Sequence, residues 1–366
     1  MEQIKAIYIH IPFCQTICSY CDFCKLYLNS EYVNRYLVAL EKEIKSRYMG
    51  DCVKSIYIGG GTPSSIGYDN LVKFFDIISI FNRCSDIEIT IECNPEDITP
   101  ELVQLFYSNG VNRVSLGVQS FDDNILKELN RSHTRDMVSS SCRALRNGGI
   151  DNINIDLIYG VNEDISVIKR DLEEFIKLDI PHISYYSLIL EKNTKMYIDK
   201  RKYINEDIEV EMYNFIRNFL ESKGYNHYEI SNYSRAGFES IHNRIYWENE
   251  EYYGFGLGAV SYLDWMRIIN TRNFSNYVKN FDIYDIIKED SDTRMDNEIM
   301  LGLRMRRGVS KRKFRERYDR DIDEVYDIEG LTSMGVLADD GEYISINEDY
   351  VYVSNEVIVR VTGSRK

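Results

Sequence analysis

A chain of 366 residues with 44% hydrophobic content has enough apolar material for one large core and a smaller appended unit. Its formal charge of −15 excludes a broad phosphate-binding face as the main working surface, and no apolar run approaches the roughly 18 residues needed to span a bilayer. The chain opens at Met1 with no signal-peptide pattern, which predicts a cytoplasmic setting. From the N-terminus, short β-branched runs alternate with longer helical patterns, as in parallel βαβ units. Strands are predicted at Ala6 to Ile11, Ser55 to Ile58, Glu88 to Glu92, Arg113 to Val118, Asn152 to Leu157 and His182 to Ser187. The intervening helices are predicted at Glu31 to Tyr48, Asp69 to Phe81, Pro100 to Ser108, Arg135 to Asn147, Asp164 to Leu178 and Asp207 to Lys223. Six such repeats predict an α/β fold built as a partial (β/α)6 barrel, since a closed eight-fold barrel takes ~250 residues. After Asp296 the pattern shifts to short helices at Asn297 to Leu303, Lys311 to Tyr318 and Asp323 to Met334. A hairpin of Tyr343 to Ile346 with Tyr350 to Val353 and an apolar tail from Val357 are expected to follow. No low-complexity linker interrupts the chain. The predicted organisation is a barrel over 1–225, a barrel-closing segment over 226–295 and a C-terminal α+β extension over 296–366.

Functional groups in β/α barrels collect at the C-terminal ends of the strands, because the loops there line the mouth. A cysteine loop follows the first strand, and Gly59-Gly60-Gly61-Thr62-Pro63 follows the second. Glu92 with Asn94-Pro95 ends the third, Gln119-Ser120 the fourth, Asp156 lies near the end of the fifth, and Tyr185-Tyr186-Ser187 ends the sixth. One ligand in one mouth could touch all six. The glycine run lets backbone approach a ligand and exposes N–H groups. Glu92 suits an ammonium or a ribose hydroxyl; read alone, it is equally a solvated strand end. Gln119 and Arg131 offer hydrogen bonds in fixed geometry, and Asp156 can hold ribose hydroxyls, although Arg131 by itself also reads as a helix-surface charge.

The cysteine loop constrains the chemistry most. Cys14, Cys18, Cys21 and Cys24 fall directly after the first strand, and sulfur ligands favour iron–sulfur clusters or zinc. A structural zinc site usually draws two separated ligand pairs, and no second pair occurs later. The spacing C-x3-C-x2-C supplies three ligands, which on a four-iron cube leaves one iron free to bind something else. Cys52, Cys84, Cys93 and Cys142 are scattered and read as buried small hydrophobes rather than disulfide partners.

The run Tyr8-Ile9-His10-Ile11-Pro12-Phe13-Cys14-Gln15-Thr16-Ile17-Cys18-Ser19-Tyr20-Cys21-Asp22-Phe23 resembles the opening signature of radical S-adenosylmethionine (SAM) proteins, in the branch of oxygen-independent coproporphyrinogen III oxidase and its heme-chaperone relatives. The resemblance implies one [4Fe-4S] cluster on Cys14, Cys18 and Cys21, with SAM on the fourth iron and Cys24 as the odd one out. It further implies a SAM site of Tyr8, Tyr20, Gly60, Gly61, Thr62, Glu92, Gln119, Arg131 and Asp156. His10, on the same side of its strand as Tyr8, is placed under the cysteine loop. Any chemistry then belongs to cluster and SAM, with no side chain in a catalytic role.

Within that branch two features resemble the chaperones. Only Met1 to Lys5 precede the first strand, where the oxidase carries a longer closing segment, and Phe23 stands where the oxidase has a fourth cysteine. His242-Asn243-Arg244-Ile245-Tyr246-Trp247 resembles the H-N-x-x-Y-W motif associated with heme binding in the chaperones. His242 is thereby an axial-ligand candidate, with a histidine that closes the barrel's open side as the equal alternative. The expected function is binding heme and transferring it to a heme-accepting protein. The alternative is oxidative decarboxylation of coproporphyrinogen III. The C-terminal helices and hairpin resemble a winged-helix module, which in an acidic chain is expected to close the mouth or dock a protein. No nucleic acid partner is expected. The basic run Arg304 to Arg315 reads as a solvated helical face. Transient membrane contact and a monomeric or homodimeric state both stay open.

Overall fold

Alternation of apolar and polar residues along each strand decides which face meets the helices. In this computed structural model, which describes residues 3–366, six parallel strands carry the pattern: β1 (Ala6–Ile11), β2 (Val53–Gly60), β3 (Arg83–Cys93), β4 (Arg113–Gln119), β5 (Asn152–Tyr159) and β6 (His182–Ser187). Met1 and Glu2, the start of the short lead before β1, lie outside the described residues. Ile7, Ile9, Ile56, Ile58, Ile89, Ile91, Val114, Leu116, Ile153, Ile155 and Ile183 are buried in the hydrophobic core. Burial of each such side chain contributes about 1.5–3 kcal/mol. The residues between them, among them Tyr8, Ser55, Tyr57, Glu92, Arg113, Ser115, Asn154, Asp156 and His182, take the opposite face by the two-residue period. The barrel therefore has an apolar outside, covered by helices, and a polar inside.

The helices begin where short polar side chains can cap them. Asn29 accepts from Tyr32 N–H at the start of α1 (Ser30–Arg47), Thr99 from Leu102 N–H ahead of α3 (Pro100–Ser108), and Thr134 from Met137 N–H ahead of α4 (Arg135–Asn147). Between these lies α2 (Tyr68–Ile78); α5 (Ile165–Leu178) and α6 (Glu206–Ser222) complete the set. All six predicted strands and six helices are present, within a few residues at their ends.

The sheet is wider than six strands. Its order is β12-β11-β10-β9-β1-β2-β3-β4-β5-β6-β8-β7, with β7 (Asn226–Glu229), β8 (Asn232–Ser234), β9 (Tyr252–Phe255), β10 (Val260–Leu263), β11 (Met266–Asn270) and β12 (Ile283–Lys288). β9 pairs parallel to β1, and β10 to β12 continue antiparallel. The opposite end is extended by β8 and β7, both antiparallel to their neighbours. The short helix α7 (Ile241–Trp247) packs against β2 from the N-terminal end of the strands.

Two expectations need correction. Tyr350 to Val353 is no strand: Tyr343–Ile346 pairs with Leu337–Asp339 and Val309–Ser310, and the apolar tail is the helix Ser354–Thr362. Asp340 and Gly341 make the tight turn that sets this register, since Asp340 accepts from the backbone N–H of Glu342 and Tyr343. Cys52 and Cys84 are not separate buried hydrophobes but a disulfide, Cα–Cα 5.4 Å. Their neighbours Val53 and Arg83 are paired across β2 and β3, which brings together two thiols 32 residues apart in the chain. Cys93 and Cys142 are buried, as expected.

Candidate functional site

The cysteine loop leaves β1 at Pro12 and returns by a two-residue parallel ladder of Phe13–Cys14 with Leu26–Tyr27. It is anchored from three directions. Gly61 N–H donates to Ile11 O (2.8 Å) and Thr62 N–H to Phe13 O (2.8 Å), so the glycine turn after β2 is zipped to the loop base. Ser19 N–H donates to Leu129 O (3.3 Å) and Asn130 Nδ2 to Ile17 O (2.8 Å), from the loop after β4. Met196 N–H donates to Ser19 O (3.0 Å), from the segment after β6.

Three of the thiols face one another. Burial pushes the Cys14 thiol up to about 11, with Cys21 and Cys18 close enough to raise it further, and Thr62 Oγ1 lies 3.9 Å from Cys14 Sγ. Cys24 belongs to another environment. Burial raises its pKa too, but its charged neighbours are Arg272 and Lys25, and its Sγ packs against Gly258. Among the described residues, no three His, Cys, Asp or Glu side chains converge on a point that holds a single metal ion. The donor set is thiolate only, which suits an iron–sulfur cluster better than an oxygen-ligated ion.

The predicted SAM residues lie around the same mouth. Gly60 N–H donates to Glu92 Oε2 (3.0 Å) and Tyr57 OH to Glu92 Oε1 (2.8 Å). Burial raises the Glu92 carboxyl to about 7; the Tyr57 hydrogen bond opposes the shift and Asp156 adds to it. Asp156 accepts from Ser115 Oγ (2.7 Å) and Asn154 Nδ2 (2.8 Å), and burial raises its pKa as well. Tyr8 OH is 2.8 Å from His10 Nδ1, and His10 Nε2 is 2.6 Å from Cys24 O, so His10 does sit under the cysteine loop. Gly60, at φ +118°, lies against that imidazole: a Cβ there would come within 2.6 Å of the ring.

Gln119 sits at a register shift between β4 and β5 with φ 68°, a strained backbone for a non-glycine residue. Its Nε2, Arg131 Nη2 and Asn94 Oδ1 gather above Gly117, where an added Cβ would lie 3.0 Å from Gln119 Nε2 and require it to shift. Arg131 donates to Cys18 Sγ (3.4 Å), Asn94 Oδ1 (2.8 Å) and Gly117 O. Tyr20 packs on a cluster that includes Leu188, Leu190 and Met196, and the charges nearest its hydroxyl are Cys18, Arg131 and Cys21. Tyr57 and Arg113 were missed in the sequence. The available signal was their inward place in the alternation.

His242 is elsewhere. It is 2% exposed inside the barrel floor, with Nδ1 2.9 Å from Ser55 Oγ and its ring stacked 5.0 Å from Tyr57. Glu88 accepts from the backbone N–H of Ile241 and His242, both at 3.0 Å, which fixes the start of α7 beneath the lumen. Burial first, then the nearby Arg113 charge, pushes His242 down to about 3, so it is neutral, and its Nε2 has no partner. Within the basic run Lys311 and Lys313 are partly buried in ion pairs, as is Arg317 just beyond it, whereas Arg312 and Arg315 stay exposed on the solvated face. Lys313 meets Glu248 (2.7 Å), Arg317 meets Glu250 (2.7 Å) and Glu298 (2.6 Å), and Lys311 meets Asp339 (2.5 Å).

Comparison with known proteins agrees with this geometry. The Radical SAM superfamily profile matches residues 8–174 and the HemN C-terminal domain profile matches 290–349. The chain is 36% identical to heme chaperone HemW of Lactococcus lactis subsp. lactis, over 98% of this chain and 97% of that protein. It is equally 36% identical to heme chaperone HemW of Bacillus subtilis, over 98% and 100%. The solved coproporphyrinogen III oxidase HemN from Escherichia coli shares the fold, with TM-score 0.85 at 20% identity over 98% of this chain and 90% of that one. Radical SAM proteins carry a [4Fe-4S] cluster and SAM, the two groups that the thiol loop and the polar mouth suit. Identity of this order along nearly the whole length, on a barrel with the cysteine loop at its mouth, makes this chain a member of the heme chaperone HemW family of radical SAM proteins.

Proposed function

We propose that this protein binds heme and passes it to a recipient protein, and that it carries one [4Fe-4S] cluster on Cys14, Cys18 and Cys21. The observation that carries the reading is the near-full-length identity with two proteins named as heme chaperones. The thiol arrangement supports the ligand set, because Cys14 is influenced by Cys18 and Cys21 while Cys24 is turned to Arg272. SAM would be held by Tyr8, Tyr20, Gly60, Gly61, Thr62, Glu92, Gln119, Arg131 and Asp156. Glu92 would accept its ammonium, Asp156 its ribose hydroxyls, and the guanidinium of Arg131 its carboxylate, now matched to Cys18 instead. When bound, cluster and SAM supply one-electron chemistry at the mouth. The chain's own part is to bind, orient and exclude water.

The organisation is a barrel over 1–225, a closing segment over 226–295 and a C-terminal unit over 296–366 that is held at the floor end by Lys313 with Glu248 and Arg317 with Glu250. No helix among the described residues is long and apolar enough to cross a membrane. The test is anaerobic reconstitution of the cluster, followed by hemin titration and, in parallel, incubation with coproporphyrinogen III, SAM and a reductant. Stoichiometric hemin binding without vinyl product is expected. Vinyl product would make the protein an oxidase and defeat the chaperone reading.

A further inference from the structure

The segment that leaves β6 is both basic and apolar. Residues 189–203 hold five basic and two acidic side chains in a protein of net charge −15. Lys195 is paired with Asp199 and Arg201 with Glu128. Lys192, Lys200 and Lys202 are exposed and have no ion pair among the described residues. Between these cations stand large apolar side chains that face solvent: Ile189 at 61%, Tyr197 at 46%, Ile198 at 67% and Tyr203 at 61%. Leu188, Leu190 and Met196 turn the other way and are buried against Tyr20 of the cysteine loop. The segment thus has a definite inner and outer face. Its outer apolar residues are not left over from an unformed core.

Its position is equally defined. Tyr203 OH accepts from Leu190 N–H (3.1 Å), closing the segment on itself, and Met196 N–H reaches Ser19 O, so it lies as a strap across the rim of the mouth. Tyr186, on the inward face of β6 and 40% exposed, adds an aromatic ring near the end of the strand from which the strap leaves. An exposed apolar patch rimmed by polar groups marks a binding surface. Aromatic faces interleaved with free ammonium groups fit a flat apolar molecule with carboxylates on one edge. Heme, with a planar ring and two propionates, has that chemistry. His242 cannot supply this surface, because it lies in the floor at 2% exposure beneath Tyr57 and Tyr246.

We propose that heme docks on the outer face of the strap 189–203, with its ring on Ile189, Tyr197, Ile198 and Tyr203 and its propionates on Lys192, Lys200 and Lys202. The inference rests on the heme-binding reading and adds the site. An anionic membrane surface would meet the same residues with the same charges; a small planar ligand is favoured because the strap's inner face packs on Tyr20 and its backbone is bonded to Ser19, which fixes the patch beside the cysteine loop.

The experiment uses the full-length protein with its cluster reconstituted. Two variants are compared with the unaltered chain, Tyr197→Ser/Ile198→Ser/Tyr203→Ser and Lys192→Glu/Lys200→Glu/Lys202→Glu. All six side chains are exposed, and circular dichroism with iron content verifies that fold and cluster persist. Each variant is expected to bind hemin about tenfold more weakly or worse, equivalent to about 1.4 kcal/mol. Protoporphyrin IX dimethyl ester, which lacks free carboxylates, is expected to bind the unaltered protein more weakly than protoporphyrin IX. Unchanged hemin affinity in both variants overturns the inference and leaves the chaperone reading standing. Unaltered protein that takes up no hemin defeats both. Vesicles of phosphatidylglycerol provide the remaining arm: if the variants lose vesicle binding but keep hemin affinity, the strap is a membrane contact and the heme assignment fails.

Discussion

At the residue scale the site is governed by which buried groups hold charge. Glu92 has neighbours that oppose each other, a hydrogen bond from Tyr57 and another carboxylate at Asp156, and burial leaves it titrating near neutrality. Its pKa is raised above the ordinary carboxylate value, so its contribution to stability is present below about 4.5 and is lost as pH rises through about 7. A ligand ammonium placed on the ionised form reverses that preference. SAM affinity is therefore expected to rise as pH increases to 7 and to flatten above it, falling by roughly tenfold per unit on the acid side. Calorimetric titration from pH 5.5 to 8.5 reads this, and a pH-independent, weaker isotherm is expected for Glu92→Gln. The cysteines make a second residue-scale case. Cys24→Ser is expected to keep full iron and sulfide loading, while Cys14→Ser, Cys18→Ser and Cys21→Ser lose it. Iron loss in Cys24→Ser would break the assignment of three ligands.

At the scale of elements, the glycine turn after β2 and the helix α7 do different work at opposite ends of the barrel. Gly61 runs so close to the cysteine loop that a Cβ would sit 2.7 Å from Phe13 O and 2.8 Å from Phe13 N, both backbone atoms with nowhere to move. Gly61→Ala is expected to cost about 2 kcal/mol and to impair cluster and SAM binding together, because one displacement reaches both. Melting temperature and iron content measure the two effects. In α7, the imidazole of His242 is hydrogen-bonded to Ser55 and stacked on Tyr57. His242→Ala is expected to destabilise the protein by about 2–3 kcal/mol while leaving the Soret band of bound hemin in place. A shifted or missing Soret band would return this histidine to the iron. The strands were legible because period-two alternation is strong where one face meets helices, as in Ile7 and Ile9 or Ile153 and Ile155. The hairpin was not, because Tyr343 to Ile346 and Tyr350 to Val353 carry the same alternation. Only the Asp340-Gly341 turn and the pairing of Val309 with Ile344 select one register.

At the scale of the whole molecule, the C-terminal unit is joined to the barrel by charge as well as by apolar contact. Arg317, 11% exposed, donates to Glu250 and Glu298, which are 7% and 6% exposed, and Lys313 and Lys5 complete the network on Glu250. Removing one member of a buried pair leaves the others uncompensated. Arg317→Met is expected to lower stability by about 3 kcal/mol, seen as a lower denaturation midpoint, and no affinity for duplex DNA should appear in the unaltered protein at physiological salt. Lys313 of the basic run and Arg317 just beyond it thus line an internal seam while Arg312 and Arg315 stay solvated, a division that local charge pattern does not reveal.

The cysteine spacing, the polar strand ends and the alternation of the six parallel strands are local properties, and each follows from residues a few positions apart. They determined the barrel, the position of its mouth and the identity of the thiol loop. Other properties depend on residues brought together over long stretches of chain. The Cys52–Cys84 disulfide arises from the alignment of β2 with β3, and the burial of His242 from α7 closing the barrel floor. The pairing of Arg317 with Glu250 and Glu298 arises from packing the last unit against the first. Tertiary structure alone decided these, because burial and neutralisation are set by what lies across a contact, and the sequence around a residue does not contain its partner.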